Sequence, residues 1–166
     1  MGKVAILMGS ENDWDYVKGA AKVFQDFGVE YAAHVLSAHR TPHHVAEFAT
    51  KAKENGFQVI IAAAGGAAHL AGVVAAHTIL PVIGLPVPIE PLGGLDSLLS
   101  MVQMPGDVPV ATVAVGKGGP KNAGLLAVQM MALADAKLAE KYSKFKQDLV
   151  QKLIEKDAKF QNRLKD

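Results

Sequence analysis

The fold is decided by the stretch Val59-Ile60-Ile61-Ala62-Ala63-Ala64-Gly65-Gly66. Its apolar residues follow one another without alternation, and two glycines stop the run. A short continuous apolar run that ends in a turn signal is typical of a strand covered on both faces. Because such strands occur in parallel sheets flanked by helices, the stretch predicts an α/β fold.

Similar patterns extend outward from this stretch in both directions. Apolar runs predict further strands at residues 4–8, 31–36, 82–87 and 110–115. Helical spacing of apolar residues predicts helices at residues 14–27, from 42 onward, and at 69–77, 95–102 and 122–136. Strands that alternate with helices across short loops indicate five parallel strands with helices on both faces of the sheet.

A Lys-rich tail follows, in which Tyr142, Phe145, Leu149 and Leu153 form one stripe. We expect a long surface helix at about residues 138–165 that packs this stripe on a neighbouring element. A membrane-surface or calmodulin-type helix is the less favoured interpretation. We expect one domain over residues 1–166, with its core at about 3–136.

Composition excludes several classes of protein. Half of the 166 residues are hydrophobic, which argues against disorder. Seventeen basic and sixteen acidic residues nearly cancel, so we expect neither nucleic acid nor a membrane as a partner. There is no cysteine, and the first residues lack the apolar run of a signal peptide, so we expect a cytoplasmic protein.

Four loops should surround one ligand crevice. Ligands of open parallel sheets bind beyond the carboxyl ends of the strands, near the point where strand order reverses. This rule brings together residues 9–13, 37–42, 65–70 and 86–94.

The loop at residues 9–13 offers a glycine, the Ser10 hydroxyl and the Asp13 carboxylate. Free amides at a helix start attract anions, and Asp13 could hydrogen-bond a ribose hydroxyl. The alternative is a simple helix cap. The spacing of a Walker loop or of a dinucleotide fingerprint is absent.

The loop Ser37-Ala38-His39-Arg40-Thr41-Pro42 carries the strongest chemical signal. Histidine is the side chain suited to move protons near neutral pH, and arginine can hold a phosphate or carboxylate with two hydrogen bonds. We therefore predict a proton-handling site beside an anion anchor, the alternative being a surface histidine and a solvated arginine.

The loop Gly65-Gly66-Ala67-Ala68-His69-Leu70 lets a ligand lie directly on the backbone. A tight turn without a ligand, with His69 satisfied locally, is the alternative. His43 and Glu47 have a possible metal-ligand spacing, but because no third ligand is near them in sequence we expect no metal site.

Together these motifs resemble the class I N5-carboxyaminoimidazole ribonucleotide mutases, small enzymes of bacterial de novo purine synthesis. The resemblance runs from Val4 to about Ala136. Besides the loops at 37–42 and 64–70, it rests on Met8-Gly9-Ser10 with Asp13 and Trp14, Gly94-Leu95-Asp96-Ser97-Leu98, Gln103-Met104-Pro105 and Asn122-Ala123.

The resemblance implies a flavodoxin-like three-layer sandwich that assembles as a homo-octamer with active sites between subunits, and no metal or organic cofactor. It implies that a carboxylate moves from the exocyclic nitrogen of a ribonucleotide substrate to ring carbon C4. His39 would be the general acid and base. The implied substrate-binding residues are Ser10, Asp13, Ser37, Ala38, Arg40, Gly65, Gly66, Ala67, His69 and Leu70.

Two other functions remain open. Class II aminoimidazole ribonucleotide carboxylases resemble this chain but carry Arg-Ser-Asn where Gly66-Ala67-Ala68 stands. A non-catalytic flavin or nucleotide-binding module would share the fold, although aromatic residues are scarce in the loops. The chain also departs from the family pattern at Ala71, where a proline is expected, and at residues 88–91, which are less polar than usual.

Overall fold

The structure is a computed structural model that describes residues 2–164. Its strands are β1 (Lys3–Met8), β2 (Glu30–Val35), β3 (Phe57–Gly65), β4 (Val82–Val87) and β5 (Ala111–Thr112). Its helices are α1 (Trp14–Phe27), α2 (Pro42–Lys51), α3 (Leu70–His77), α4 (Leu95–Val102), α5 (Gly119–Ala132) and α6 (Ala136–Arg163). The predicted helix end at residue 165, and the outermost residues of the predicted domain, 1 and 166, lie outside the described residues.

The sheet has the order β2-β1-β3-β4-β5, and all its pairings are parallel. This order is found in flavodoxin-like sheets, in which the chain first runs outward from β1 to one edge and then crosses to the other side. The point of reversal lies between β1 and β3. The predicted α/β fold with a five-stranded parallel sheet is confirmed.

Each face of the sheet is covered by its own layer of helices. Along β1, Val4 and Ile6 point into a core shared with α1 and α5, whereas Ala5 and Leu7 point into a core shared with α2, α3 and α4. All four side chains are fully buried. Because successive strand residues face opposite sides, residues 4–8 of β1 and 59–64 of β3 must be apolar on both faces, as the uninterrupted runs predicted.

Several helix ends follow from local chemistry. Ser10 forms a capping box with Asp13 ahead of α1, and Gly28 ends that helix with a φ of 73°, a left-handed conformation that glycine adopts without strain. The predicted bounds of α1, β4 and α4 are confirmed. β1 and α3 differ from their predictions by one residue at their start, and β2 and β3, predicted at 31–36 and 59–64, differ by one or two residues at each end.

Two predicted elements are corrected. The fifth strand was expected at 110–115 but spans Ala111–Thr112, because only these residues pair with β4 at the sheet edge. Helix α5 was expected at 122–136. It begins earlier, with Pro120 in its first turn, and it ends earlier because Asp135 accepts a hydrogen bond from the Leu138 N–H and starts α6.

Only the first turns of α6 pack as predicted. The rings of Tyr142 and Phe145 lie 5.8 and 5.6 Å from that of Phe27 at the end of α1. Leu149 and Leu153 are instead 42% and 69% exposed, so the prediction that they pack on a neighbouring element of the chain was wrong. Neither α6 nor any other helix within residues 2–164 is long and apolar enough to cross a membrane.

Candidate active site

A cavity of about 380 Å³ opens at the carboxyl ends of β1, β2 and β3, beside the reversal of strand order. Ten of the eleven predicted site residues line it, and Gly66 is the exception. Its lining residues are Gly9, Ser10, Asp13, Ser37, Ala38, His39, Arg40, Ala64, Gly65, Ala67, His69, Leu70 and Ile89. All four predicted loops, which are remote in sequence, therefore contribute residues to this cavity.

The loop after β1 is a helix cap that also faces the cavity. The Ser10 N–H donates to the Asp13 carboxylate at 3.1 Å, and the Ser10 hydroxyl accepts the Asn12 N–H at 3.3 Å. Burial raises the pKa of Asp13 above its usual value, and the opposing effects of the Ser10 N–H and the Arg40 charge do not cancel this shift. The cap and the ligand-binding interpretations are thus compatible.

The loop after β2 is closed by Thr41. Its hydroxyl accepts the Ser37 N–H at 3.0 Å and donates to the Ser37 carbonyl at 3.1 Å, and its own N–H donates to the same carbonyl at 2.8 Å. These bonds hold the turn that presents His39 and Arg40. Thr41 belongs to the motif at 37–42, and its spacing of four residues from Ser37 was the available signal for this role.

Arg40 joins the ends of β1 and β2. Its Nε donates to the Ser37 hydroxyl at 3.4 Å, and its Nη2 donates to the Gly9 carbonyl. Since a guanidinium has five N–H groups, others remain for a ligand. Arg40, Ser10 and Ser37 also line a second hollow that adjoins the cavity.

His39 and His69 contact each other across the cavity. Nε2 of His39 lies 2.8 Å from Nδ1 of His69, and the two rings are nearly perpendicular at 83°. A hydrogen bond between two imidazole nitrogens requires that one carry a proton and the other accept it. The His69 side chain, at the start of α3, therefore contacts the predicted general acid and base and does not cap its own helix.

The glycine turn after β3 is shaped by Ile89 and Ser97. A Cβ on Gly65 would lie 3.0 Å from the Ile89 side chain, so Ile89 packs closely against this glycine. Gly66 has a φ of 65°, and its N–H donates to the Ser97 hydroxyl at 2.9 Å instead of facing the cavity. The sequence predicted that the loop at 86–94 lies at the crevice, but it did not identify Ile89 or Ser97 as residues that shape the turn.

The remaining histidines lie outside the cavity. His43 and Glu47, with their possible metal spacing, are exposed on α2. No group of three or more histidine or carboxylate side chains within residues 2–164 is placed to hold a metal ion. His34 packs against Phe48, with ring centroids 5.0 Å apart, and its contact is structural.

The chain is similar to a known protein family over most of its length. The model of the AIR carboxylase family matches residues 3–152. The chain belongs to the AIR carboxylase family. This match covers all five strands and ends within α6.

AIR carboxylase relatives resemble the chain over most of their length. A protein of Saccharolobus solfataricus is 54% identical over 149 residues, which are 90% of this chain and 93% of the relative. One of Bacillus subtilis is 51% identical over 152 residues, 92% of this chain and 94% of the relative. Both are named N5-carboxyaminoimidazole ribonucleotide mutase. The crystal structure of PurE from Treponema denticola superposes with a TM-score of 0.85 at 32% identity, covering 94% of this chain and 96% of that one.

Proposed function

We propose that the protein is an N5-carboxyaminoimidazole ribonucleotide mutase, which moves the carboxylate of its substrate from the exocyclic nitrogen to ring carbon C4. The observation that carries the proposal is that one cavity brings together His39, Arg40 and the turn at Gly65. A proton handler, an anion anchor and a small apolar enclosure are the three components this reaction needs. Relatives about half identical to the chain bear the name of the same activity.

Binding of the ribonucleotide would begin at Arg40. Its guanidinium is held by Ser37 and Gly9, so little side-chain freedom is left to lose when its free N–H groups bind the substrate phosphate. Ser10 and Asp13 line the same wall and would hold the ribose phosphate portion. A substrate bound in this way would have its aminoimidazole ring directed toward His39.

His39 would then transfer one proton in each half of the reaction. It protonates the carbamate nitrogen, the N–C bond breaks with its electron pair remaining on nitrogen, and carbon dioxide is released. The electron-rich ring attacks carbon dioxide through C4 and forms the new C–C bond. The now neutral His39 removes the proton from C4, so the proton count balances and the starting state returns.

Carbon dioxide must stay beside the ring between these two steps. The wall formed by Gly65, Ala67, Leu70 and Ile89 carries no charged side chain and would keep water away from the released molecule. Holding both reactants in one enclosure makes recarboxylation effectively unimolecular. The less polar segment at 88–91 contributes Ile89 to this wall.

The decisive experiment compares two substrates. A mutase turns over the N5-carboxy ribonucleotide, whereas a carboxylase prefers aminoimidazole ribonucleotide with bicarbonate. We expect the first, because Gly66-Ala67-Ala68 stands in place of Arg-Ser-Asn. Preference for bicarbonate would support the class II alternative, and turnover of neither by a yellow protein would support a flavin-binding module.

The assembly, compartment and cofactor requirement belong to the same proposal. Leu95, Leu99 and Val102 are about half exposed on α4, and Leu149 and Leu153 are also exposed on α6. This exposed apolar surface favours self-association. We infer a cytoplasmic homo-octamer that needs no metal or organic cofactor. Native mass spectrometry should find eight copies of the 17.5 kDa chain, and turnover should survive EDTA and dialysis unchanged.

A further inference from the structure

Within residues 2–164, Ser97 is the only polar or charged residue that is buried, and it is fully buried. It lies on the first turn of α4, and its side chain points at the ends of β3 and β4. Ser97 does not line the cavity, and the proposed chemistry does not use it. A buried hydroxyl needs hydrogen-bond partners, and the identity of these partners shows what it does.

The Ser97 hydroxyl bridges the two backbone segments that form the apolar wall. It donates to the Val87 carbonyl at 2.9 Å and accepts the Gly66 N–H at 2.9 Å. The directions are unambiguous, because an amide N–H can only donate and a carbonyl can only accept. One hydroxyl thereby ties the turn after β3 to the end of β4, two residues before Ile89.

We propose that Ser97 is a positioning residue that keeps the Gly65–Gly66 turn closed against Ile89 while carbon dioxide is in the cavity. The inference rests on the proposed mutase function. Gly66 has a left-handed backbone, and its N–H is directed away from the cavity by Ser97. Without the hydroxyl, the Gly66 N–H and the Val87 carbonyl lose their partner together. Because unpaired backbone groups are unstable away from water, the turn would move so that water reaches them. Carbon dioxide could then leave the cavity by the same route.

The test measures whether carbon dioxide escapes during turnover. Unlabelled N5-carboxy ribonucleotide is converted in buffer that contains carbon-13 bicarbonate, and mass spectrometry gives the carbon-13 fraction in the product carboxylate. We expect little label with the unaltered protein. Ser97→Ala should raise the labelled fraction about fivefold or more, because loss of a buried hydrogen bond weakens closure of the turn. A defect in folding alone would lower the rate without raising the label.

Two further variants serve as controls. Ser97→Thr keeps the hydroxyl, so its labelled fraction should be close to that of the unaltered protein. Ser100→Ala removes another hydroxyl from α4, one that donates to the Asp96 carbonyl at 2.7 Å and does not reach the glycine turn, and should leave labelling unchanged.

The outcomes separate the inference from the function on which it rests. If the unaltered protein does not convert the N5-carboxy ribonucleotide, the proposed function fails. If it does, and folded Ser97→Ala incorporates no more label than the unaltered protein, the role of Ser97 is overturned. Should Ser97→Ala fail to fold, hydrogen exchange of the unaltered protein decides: the Gly66 N–H must be protected, and rapid exchange would refute the proposal.

Discussion

Nε2 of His39 and Nδ1 of His69 lie 2.8 Å apart, although 30 residues of sequence separate the two histidines. The contact joins the loop after β2 to the start of α3 across the mouth of the cavity. A hydrogen bond between these two nitrogens fixes the orientation of one ring relative to the other. His69 is thereby placed to orient the imidazole that would transfer protons.

His39→Asn should abolish isomerisation while leaving ligand binding largely intact. Asparagine does not titrate near neutral pH, so kcat should fall by about 100-fold or more, the usual contribution of a general acid or base. The Kd for the product, measured by calorimetry, should change little because Arg40 remains. His43→Asn, which alters an exposed histidine outside the cavity, is the matched control. Retained turnover in His39→Asn would refute the assigned role.

His69→Asn should retain more activity than His69→Leu. Asparagine can put an amide or carbonyl group near the position of Nδ1 and so preserve a contact to His39, whereas leucine cannot. We expect kcat of the two variants to differ by about tenfold, a small part of what proton transfer contributes. Equal kcat values in both variants would mean that the His39 contact does not matter for turnover.

Arg40→Lys should weaken substrate binding although the charge is kept. Lysine cannot reproduce the bonds to Ser37 and Gly9 together with a two-point contact to phosphate. The KM should rise by about tenfold or more, with a smaller change in kcat. Lys152→Met, which removes an exposed charge on α6, should leave both constants unchanged. An unaltered KM in Arg40→Lys would locate the phosphate elsewhere.

Asp13 and Asp15 should give opposite pH dependences of stability. Burial raises the pKa of Asp13, so the folded state binds its proton more tightly than the unfolded chain, and this carboxyl adds stability as pH falls. The hydrogen bond and charge of Lys18 lower the pKa of Asp15, so that carboxyl loses stability as pH falls.

Urea unfolding between about pH 7 and about pH 3 measures this difference. Relative to Asp13→Asn, the unaltered protein should gain in free energy of unfolding as the pH falls. Relative to Asp15→Asn, it should lose. Parallel curves for Asp13→Asn and the unaltered protein would contradict the burial of the Asp13 carboxyl.

The fold was predictable from the sequence where consecutive residues all favour the same secondary-structure element. The apolar run that ends in Gly65-Gly66 is typical of a strand that is buried on both faces. Gly28 marked the end of α1. The fifth strand was not predictable in its length, because pairing at a sheet edge depends on how far β4 extends beside it. Pro120 and Asp135 were local signals for the bounds of α5 and α6 that the helical periodicity concealed.

The candidate site was predictable as a set of loops but not as a set of contacts. The carboxyl ends of parallel strands lie at the same edge of the sheet, so the sequence indicated that the loops carrying Ser10, His39 and Gly65 would meet. It did not indicate that Thr41 would close its own turn or that Ile89 would lie on the glycines. Such contacts depend on side-chain directions that no periodic pattern records.

By itself, the sequence determined which chemistry could be present. The loops that follow the strands contain an imidazole, a guanidinium and paired glycines, and in a parallel sheet these loops lie at the same edge. The tertiary structure decided how these groups act on one another. It joined His39 to His69 over 30 residues and Gly66 to Ser97 over 31. The physical reason is that hydrogen bonds and close packing depend on distances of a few ångströms between remote segments, which are set only when the sheet and both helix layers assemble.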